Sequence, residues 1–407
     1  MKKASSFLLA VALSACADAA PVVKPSSVVM TQDDLTHRVS VVYELENEPA
    51  IVTLDFQTNC TETGKWVSIG TRNFTNATNV GRLVEPGAHM IAWDPVKVWP
   101  DHKITGNGTR AVVTAWATNA PPEFMAVDLT TKSNVVFYAG EEFLPYDVTN
   151  TLYKTDWLLM RKMHAAGVPW RMGADPTDSG WLGNEKPHIV TLSEDYYIGV
   201  FELTQEQYSR MITQTGTLDM KPMRLITYNA LRGTGTGIGW PAYGHAVSTT
   251  GFLGVLRAHS GQEFDLPTSA QWEFACRGGT TSSFFDGSEW GIQSVPEFDK
   301  LAWTSVSGTT PDLHEAGLLK PNGYGLYDII GNAWEWCLDF QPGLTEVSPD
   351  PVTDPAGPGT GYYRLARGGS VYSAAINVRS SYLYANFDST RSATDTGFRV
   401  VCPAEYR

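Results

Sequence analysis

The stretch Asp328-Ile-Ile-Gly331-Asn332-Ala333-Trp334-Glu335-Trp336 constrains this chain more than any other. Gly331-Asn332 is a tight-turn pair. On a strand that follows it, Trp334 and Trp336 share one face and Glu335 takes the other. The chain must therefore bury two indoles on one side of a sheet and satisfy a carboxylate on the other. Two further blocks follow, Arg367-Gly-Gly-Ser370 and Gly397-Phe-Arg-Val-Val401. Glycine-rich loops between such blocks cannot form ladders with one another, so they need internal staples.

The rest of the chain divides into a β-rich half and a mixed half. Its 407 residues suggest two domains. Val39–Tyr43, Ala50–Phe56, Ala111–Trp116 and Asn134–Tyr138 are short β-branched and aromatic runs separated by turn-rich pieces. They predict an all-β sandwich of immunoglobulin or fibronectin type over 22–145, followed by a linker at 146–155. From 156 onward, capping boxes open helices at Thr204-Gln-Glu-Gln207 and Thr268-Ser-Ala-Gln271. Trp272, Ala275 and Cys276 form one helical stripe that Gly278-Gly279 ends. A third helix is expected over Gly251 to His259. The net charge of −13, without a Lys/Arg cluster, excludes a nucleic-acid partner.

The three blocks, in this order, resemble the formylglycine-generating enzyme (sulfatase-modifying factor) family. Trp170-Arg-Met-Gly173, Leu266-Pro-Thr268 with Trp272-Glu-Phe274, and Arg277-Gly-Gly279 extend the resemblance to about 156–402. It implies an α+β domain of C-type-lectin-like fold over 156–407. It also implies a structural calcium held by Asp328, by the carbonyls of Gly331 and Ala333, and by Glu335. Asp is a hard oxygen donor suited to that ion. In the competing reading Glu335 hydrogen-bonds buried loop amides. The family often joins the helix after the Leu-Pro-Thr block to the last strand, which implies a Cys276–Cys402 disulfide, with two buried free thiols as the alternative. Cys60 and Cys337 read as unpaired core residues.

Catalytic members of the family carry a reactive cysteine pair just after the Gly-Gly-Ser. Here that stretch is Val371-Tyr-Ser-Ala-Ala-Ile-Asn-Val-Arg379, which holds no cysteine. Tyr, Ser and Asn side chains are poor ligands for Cu(I), a soft ion that prefers thiolate. No copper is expected, and the family's oxidase activity is the less favoured reading. The histidines, among them His164, His188, His245, His259 and His314, show no His-x-x-x-His spacing.

The segment from Tyr372 to Thr396 is dense in Ser, Ala, Asn, Tyr and Asp. Binding surfaces favour this composition, because Tyr gives large contact area at low entropy. Tyr372, Ser373, Asn377, Tyr382, Tyr384 and Asn386 are the candidate ligand-contacting residues. The bland alternative packs these aromatics on the domain itself. In lectin-fold proteins diversified by retroelements the variable stretch has this location.

The N-terminus reads as a targeting segment over 1–19. Lys2-Lys3 precedes the short apolar core Phe7–Leu13. Leu13-Ser-Ala-Cys16 reads as a lipobox that would lipidate Cys16, and Ala17-Asp-Ala19 reads as an ordinary cleavage site. The lipobox is preferred, since a lone Cys there is otherwise unexplained. The expectation is an exported periplasmic, surface-tethered or secreted protein whose partner is a protein or a glycan. Contact with the membrane would be only through the lipid anchor.

Overall fold

The computed structural model describes residues 19–59, 64–69, 79–95, 108–178, 180–181, 183–234, 245–291, 298–305, 312–342 and 351–406. The targeting segment with Cys16, and Cys60, lie outside the described residues.

Eight strands come first: β1 (Val22–Val23), β2 (Val29–Gln32), β3 (Val39–Glu46), β4 (Ala50–Asn59), β5 (Trp66–Ser68), β6 (Arg82–Val84), β7 (Gly87–Trp93) and β8 (Thr109–Trp116). β3 pairs with β1, β2 and β7, and β4 pairs with β5, β6 and β8, giving two four-stranded sheets. Alternation sets the shared core. Val39, Val41, Tyr43 and Leu45 of β3 face Ala50, Val52, Leu54 and Phe56 of β4. Phe56 stacks on Trp93 with ring centroids 4.4 Å apart.

β9 (Phe124–Asp128) and β10 (Val135–Tyr138) do not join those sheets. With β11 (Trp157–Met163), β14 (Tyr196–Gly199) and β20 (Val401–Pro403) they form a five-stranded sheet in the order β10-β9-β11-β14-β20. The first β unit thus ends near Trp116, well before the expected boundary at 145. The run at Asn134–Tyr138 is a strand as expected, but its partner is β9. A β-branched run specifies a strand and not the neighbour it pairs with. The two parts touch through Gly81, whose N–H donates to the Val52 carbonyl and whose carbonyl accepts from Phe137 N–H. Gly81 sits at φ +70, and a Cβ there would collide with the Phe137 carbonyl oxygen.

The second part adds β12 (Pro169–Met172), β13 (His188–Thr191), α1 (Gln205–Met211), α2 (Tyr228–Arg232), α3 (Phe252–Ser260) and α4 (Ser269–Arg277). It closes with β15 (Trp334–Phe340), β16 (Val352–Thr353), β17 (Tyr363–Arg367), β18 (Tyr384–Asp388) and β19 (Thr396–Gly397). β18-β17-β15-β19 make one sheet and β12-β13-β16 another. Both capping boxes form with their reciprocal bonds, at Thr204/Gln207 and at Thr268/Gln271. α2 is a short helix that the sequence reading did not anticipate. Its start is capped by Thr227, which accepts from Ala230 N–H.

Among the described residues, buried arginine–carboxylate pairs between distant segments staple the loops: Arg232–Asp265 at 3.0 Å, Arg367–Glu273 at 3.0 Å, Arg379–Glu185 at 2.7 Å and Arg399–Glu335 at 2.9 Å. These pairs explain the sequence blocks. The Trp-Glu-Phe block supplies Glu273 to the Arg367 of Arg-Gly-Gly-Ser. The Trp-Glu-Trp block supplies Glu335 to the Arg399 of Gly-Phe-Arg.

Candidate functional site

The segment after β17 is shaped by its glycines. Gly368 and Gly369 lie at φ +89 and +79, and a Cβ on Gly369 would strike the Val378 side chain. The turn they make buries Ser370, whose hydroxyl donates to Asp395 at 2.6 Å. Ser373 is 6% exposed, and its Oγ accepts from Ser370 N–H at 2.9 Å. Its carbonyl accepts from both N–H and Oγ of Ser305. The Ser373 hydroxyl oxygen is therefore engaged in holding the turn. Tyr372 is 53% exposed. A single 3-10 turn, Ala375–Val378, leads to Arg379, with Asn377 half-buried on it.

The remaining candidates divide between surface and core. Tyr384 stacks on Trp334 at 4.7 Å, and Tyr382 lies at 6.0 Å from the same indole. Both are partly buried against the core. Asn386 falls in β18, and its side chain lies outside the described residues. Of the six candidates, Tyr372 is the one presented as an exposed large aromatic.

The described thiols are chemically quiet. Cys276, Cys337 and Cys402 are buried and free. The expected Cys276–Cys402 bridge is not formed, because the two side chains pack into different core clusters. Cys276 Sγ instead lies 3.6 Å from Ser380 Oγ. Burial pushes the Cys276 thiol up to about 12, and raises Cys337 and Cys402 well above the ordinary range. Buried thiols of this kind stay protonated at neutral pH and are inert.

The residues expected to hold calcium fit that ion unevenly. Asp328 is buried, and its Oδ2 accepts from Gly317 N–H at 2.6 Å. Its Oδ1 is buried with no partner, an orphaned hard oxygen of the kind a cation satisfies. Burial lifts its pKa to about 6. Glu335 does not fit the ligand role. Oε1 accepts from Arg399 at 2.9 and 3.1 Å, and Oε2 accepts from Arg399 at 3.2 Å and from Trp272 Nε1 at 2.7 Å. These contacts use the carboxylate's acceptor capacity. Among the described residues no group of three or more His, Cys, Asp or Glu is arranged to hold a metal.

Sequence reasoning missed Glu202. This carboxyl is fully buried and accepts from Asn332 Nδ2 at 2.7 Å and from Ala333 N–H at 3.0 Å. Burial first, then the Asp328 and Glu335 charges, raise it well above the carboxylate range. It holds the Gly331-Asn332 turn, while Trp303 stacks on His314 at 3.7 Å beside it. The available signal was an acid inside the apolar run Val200-Phe201-Glu202-Leu203.

Residues 165–404 match the family described as the sulfatase-modifying factor enzyme 1-like domain. The formylglycine-generating enzyme of Thermomonospora curvata is 35% identical over 155 residues, which is 34% of this chain and 49% of that relative. The Serine/threonine-protein kinase pkn1 of Chlamydia pneumoniae is 28% identical over 222 residues, covering 53% of this chain and 34% of that one. The chain thus spans about half, or less, of the length of these curated relatives. Among solved structures, Treponema denticola variable protein 1 is 24% identical with a TM-score of 0.48, covering 63% of this chain and 98% of that one.

Proposed function

The chain belongs to the sulfatase-modifying factor enzyme 1-like family through residues 165–404, and from that premise we propose that it is a ligand-binding member and not an oxidase. The observation that carries this reading is the stretch after Gly369. Up to Arg379 it offers hydroxyl, amide and aliphatic side chains and no thiol. Soft-metal chemistry has no ligand there. The same stretch turns Tyr372 outward at 53% exposure from a backbone fixed by Ser370, Ser373 and Ser305. A rigid tyrosine on a pinned turn is the kind of anchor that dominates binding surfaces.

The ligand class that suits such a surface is a protein or a glycan. The test is binding to a glycan array and to a panel of purified cell-surface proteins, with wild type and Tyr372→Ala side by side. Signal lost in the variant at unchanged melting temperature supports the reading. Signal indifferent to Tyr372 counts against it.

Two companion proposals complete this account. A calcium ion in the Gly331-Asn332 loop would rest on Asp328 and on the Gly331 and Ala333 carbonyls, with Glu335 reserved for Arg399. Export would expose the binding surface outside the cytoplasm, with Cys16 acylated; mass spectrometry of the mature N-terminus distinguishes that from cleavage after Ala19.

A further inference from the structure

A cavity of about 300 Å³ opens between β12, the N-terminal turn of α4, the end of β15 and the loop after β16. That volume is at the lower end of small-molecule sites. Its walls are mainly apolar: Pro342, Val352, Pro355, Pro358, Leu365 and Leu383. The polar groups lie on its floor, and most of them are committed. Glu273 is held by Arg277, Arg367 and the Gly173 N–H. Glu185 is held by two nitrogens of Arg379 and by the Ser381 hydroxyl. Arg367 spends its donors on Ser269, Glu273 and the carbonyls of Ser380 and Tyr382.

Asp339 is the exception. It lines the cavity and is 4% exposed. Its Oδ2 accepts from Ser269 N–H at 2.7 Å. Among the described residues no other residue bonds its carboxyl, and no cation lies in ion-pair contact with it.

We propose that this cavity is a second ligand site, one that takes a small organic cation: an ammonium or guanidinium group on an apolar body, with the charged nitrogen on Asp339. The apolar walls take the body, and the Asp339 carboxyl, which accepts from the backbone N–H of Ser269 and from its own and from no side chain among the described residues, takes the nitrogen. A buried carboxylate without a cation in direct contact is costly, and a ligand cation supplies that contact. Burial holds the Asp339 carboxyl up at about 7, with Arg364 and Arg367 of β17 pulling it down. Glu273 on α4, and Glu185, Lys186 and His188 of the same cavity lining, are its other charged and titratable surroundings. A bound cation favours the ionised form, so binding releases a proton near neutrality and tightens as pH rises.

The test compares benzylamine, benzyl alcohol and benzoate by ligand-observed NMR and calorimetry on the full chain. These probes share one body and differ in charge. The expected result is binding of benzylamine at least tenfold tighter than of the other two. That binding is lost in Asp339→Asn, is lost in Ala356→Phe, which adds bulk to the cavity lining and leaves Asp339 in the sequence, and grows roughly tenfold from pH 6 to pH 8. His188→Gln is the control for the imidazole across the cavity and should keep the pH dependence. Should Asp339→Asn fail to fold, Ala356→Phe and the wild-type pH profile decide. Equal binding of the three probes, preference for benzoate, no binding, or binding that survives Ala356→Phe overturns the proposal.

Discussion

Replacing Glu335 with alanine tests whether this carboxylate is the counter-ion of Arg399. The guanidinium is fully buried. It donates to both Glu335 oxygens, to the carbonyls of Gly199 and Val200 at 2.8 and 2.9 Å, and to that of Tyr327 at 2.9 Å. Those carbonyls survive in Glu335→Ala and keep the charge inside. Leaving one partner of a buried pair alone costs about 3–5 kcal/mol. Trp272 Nε1 also loses its 2.7 Å acceptor, a further cost of about 1–3 kcal/mol. The two costs share one carboxylate and do not add fully. Glu202 and Asp328, both close enough to feel the Arg399 charge, offset part of them. The expected loss is about 4 kcal/mol, or about 8–16 °C in melting temperature for a domain of this size. Urea denaturation and thermal melting at pH 7 measure it, with calcium and with chelator. The loss should be the same in both, because the lost partner is an arginine. A loss below about 1 kcal/mol, or one that appears only with calcium, would refute the assignment.

Calcium itself should raise the melting temperature of the wild type over that in chelator, by mass action on the native state. Asp328→Ala should abolish the difference, and a wild type indifferent to calcium removes the proposed ion. Asp339 predicts a pH effect. Its native pKa of about 7 stands above the ordinary 3.8, so the native state binds its proton more tightly than the unfolded chain. That stability is complete below about pH 4 and is lost as pH rises through about 7, a fall of roughly 4 kcal/mol. Asp339→Asn should remove this fall, matching wild type near pH 4 and exceeding its stability at pH 8 in urea melts. Parallel wild-type and variant profiles would contradict the assignment.

The local devices were the legible ones. Thr204 and Thr268 stand three residues before glutamines that reach back, and both boxes form because every partner lies within one helical turn. The alternation of Trp334, Glu335 and Trp336 was legible for the same reason: both indoles enter one core cluster, and Cys337, on Glu335's side of the strand, enters another. What each group meets across the fold was not legible. Glu335 meets an arginine 64 positions away, and nothing in its neighbourhood names that partner. Tyr382 and Tyr384 look like Tyr372 in sequence, yet Trp334 draws them inward. Strand Val135–Tyr138 was found and its sheet was not, since pairing depends on β9 and β11 arriving beside it. Asp339, inside Cys337-Leu338-Asp339-Phe340, reads as an ordinary strand acid until the cavity beside it is seen.

The central claim is that this family member binds and does not oxidise. Its most direct test is incubation of the full chain with a sulfatase-type cysteine peptide, copper and a thiol reductant, read by the peptide's mass. Conversion no greater than in a control without protein is the predicted result, because residues 371–378 present no thiolate and the described thiols are buried and protonated. Loss of the peptide thiol to an aldehyde above that control, abolished by Cys337→Ser in a variant that melts like wild type, would contradict it.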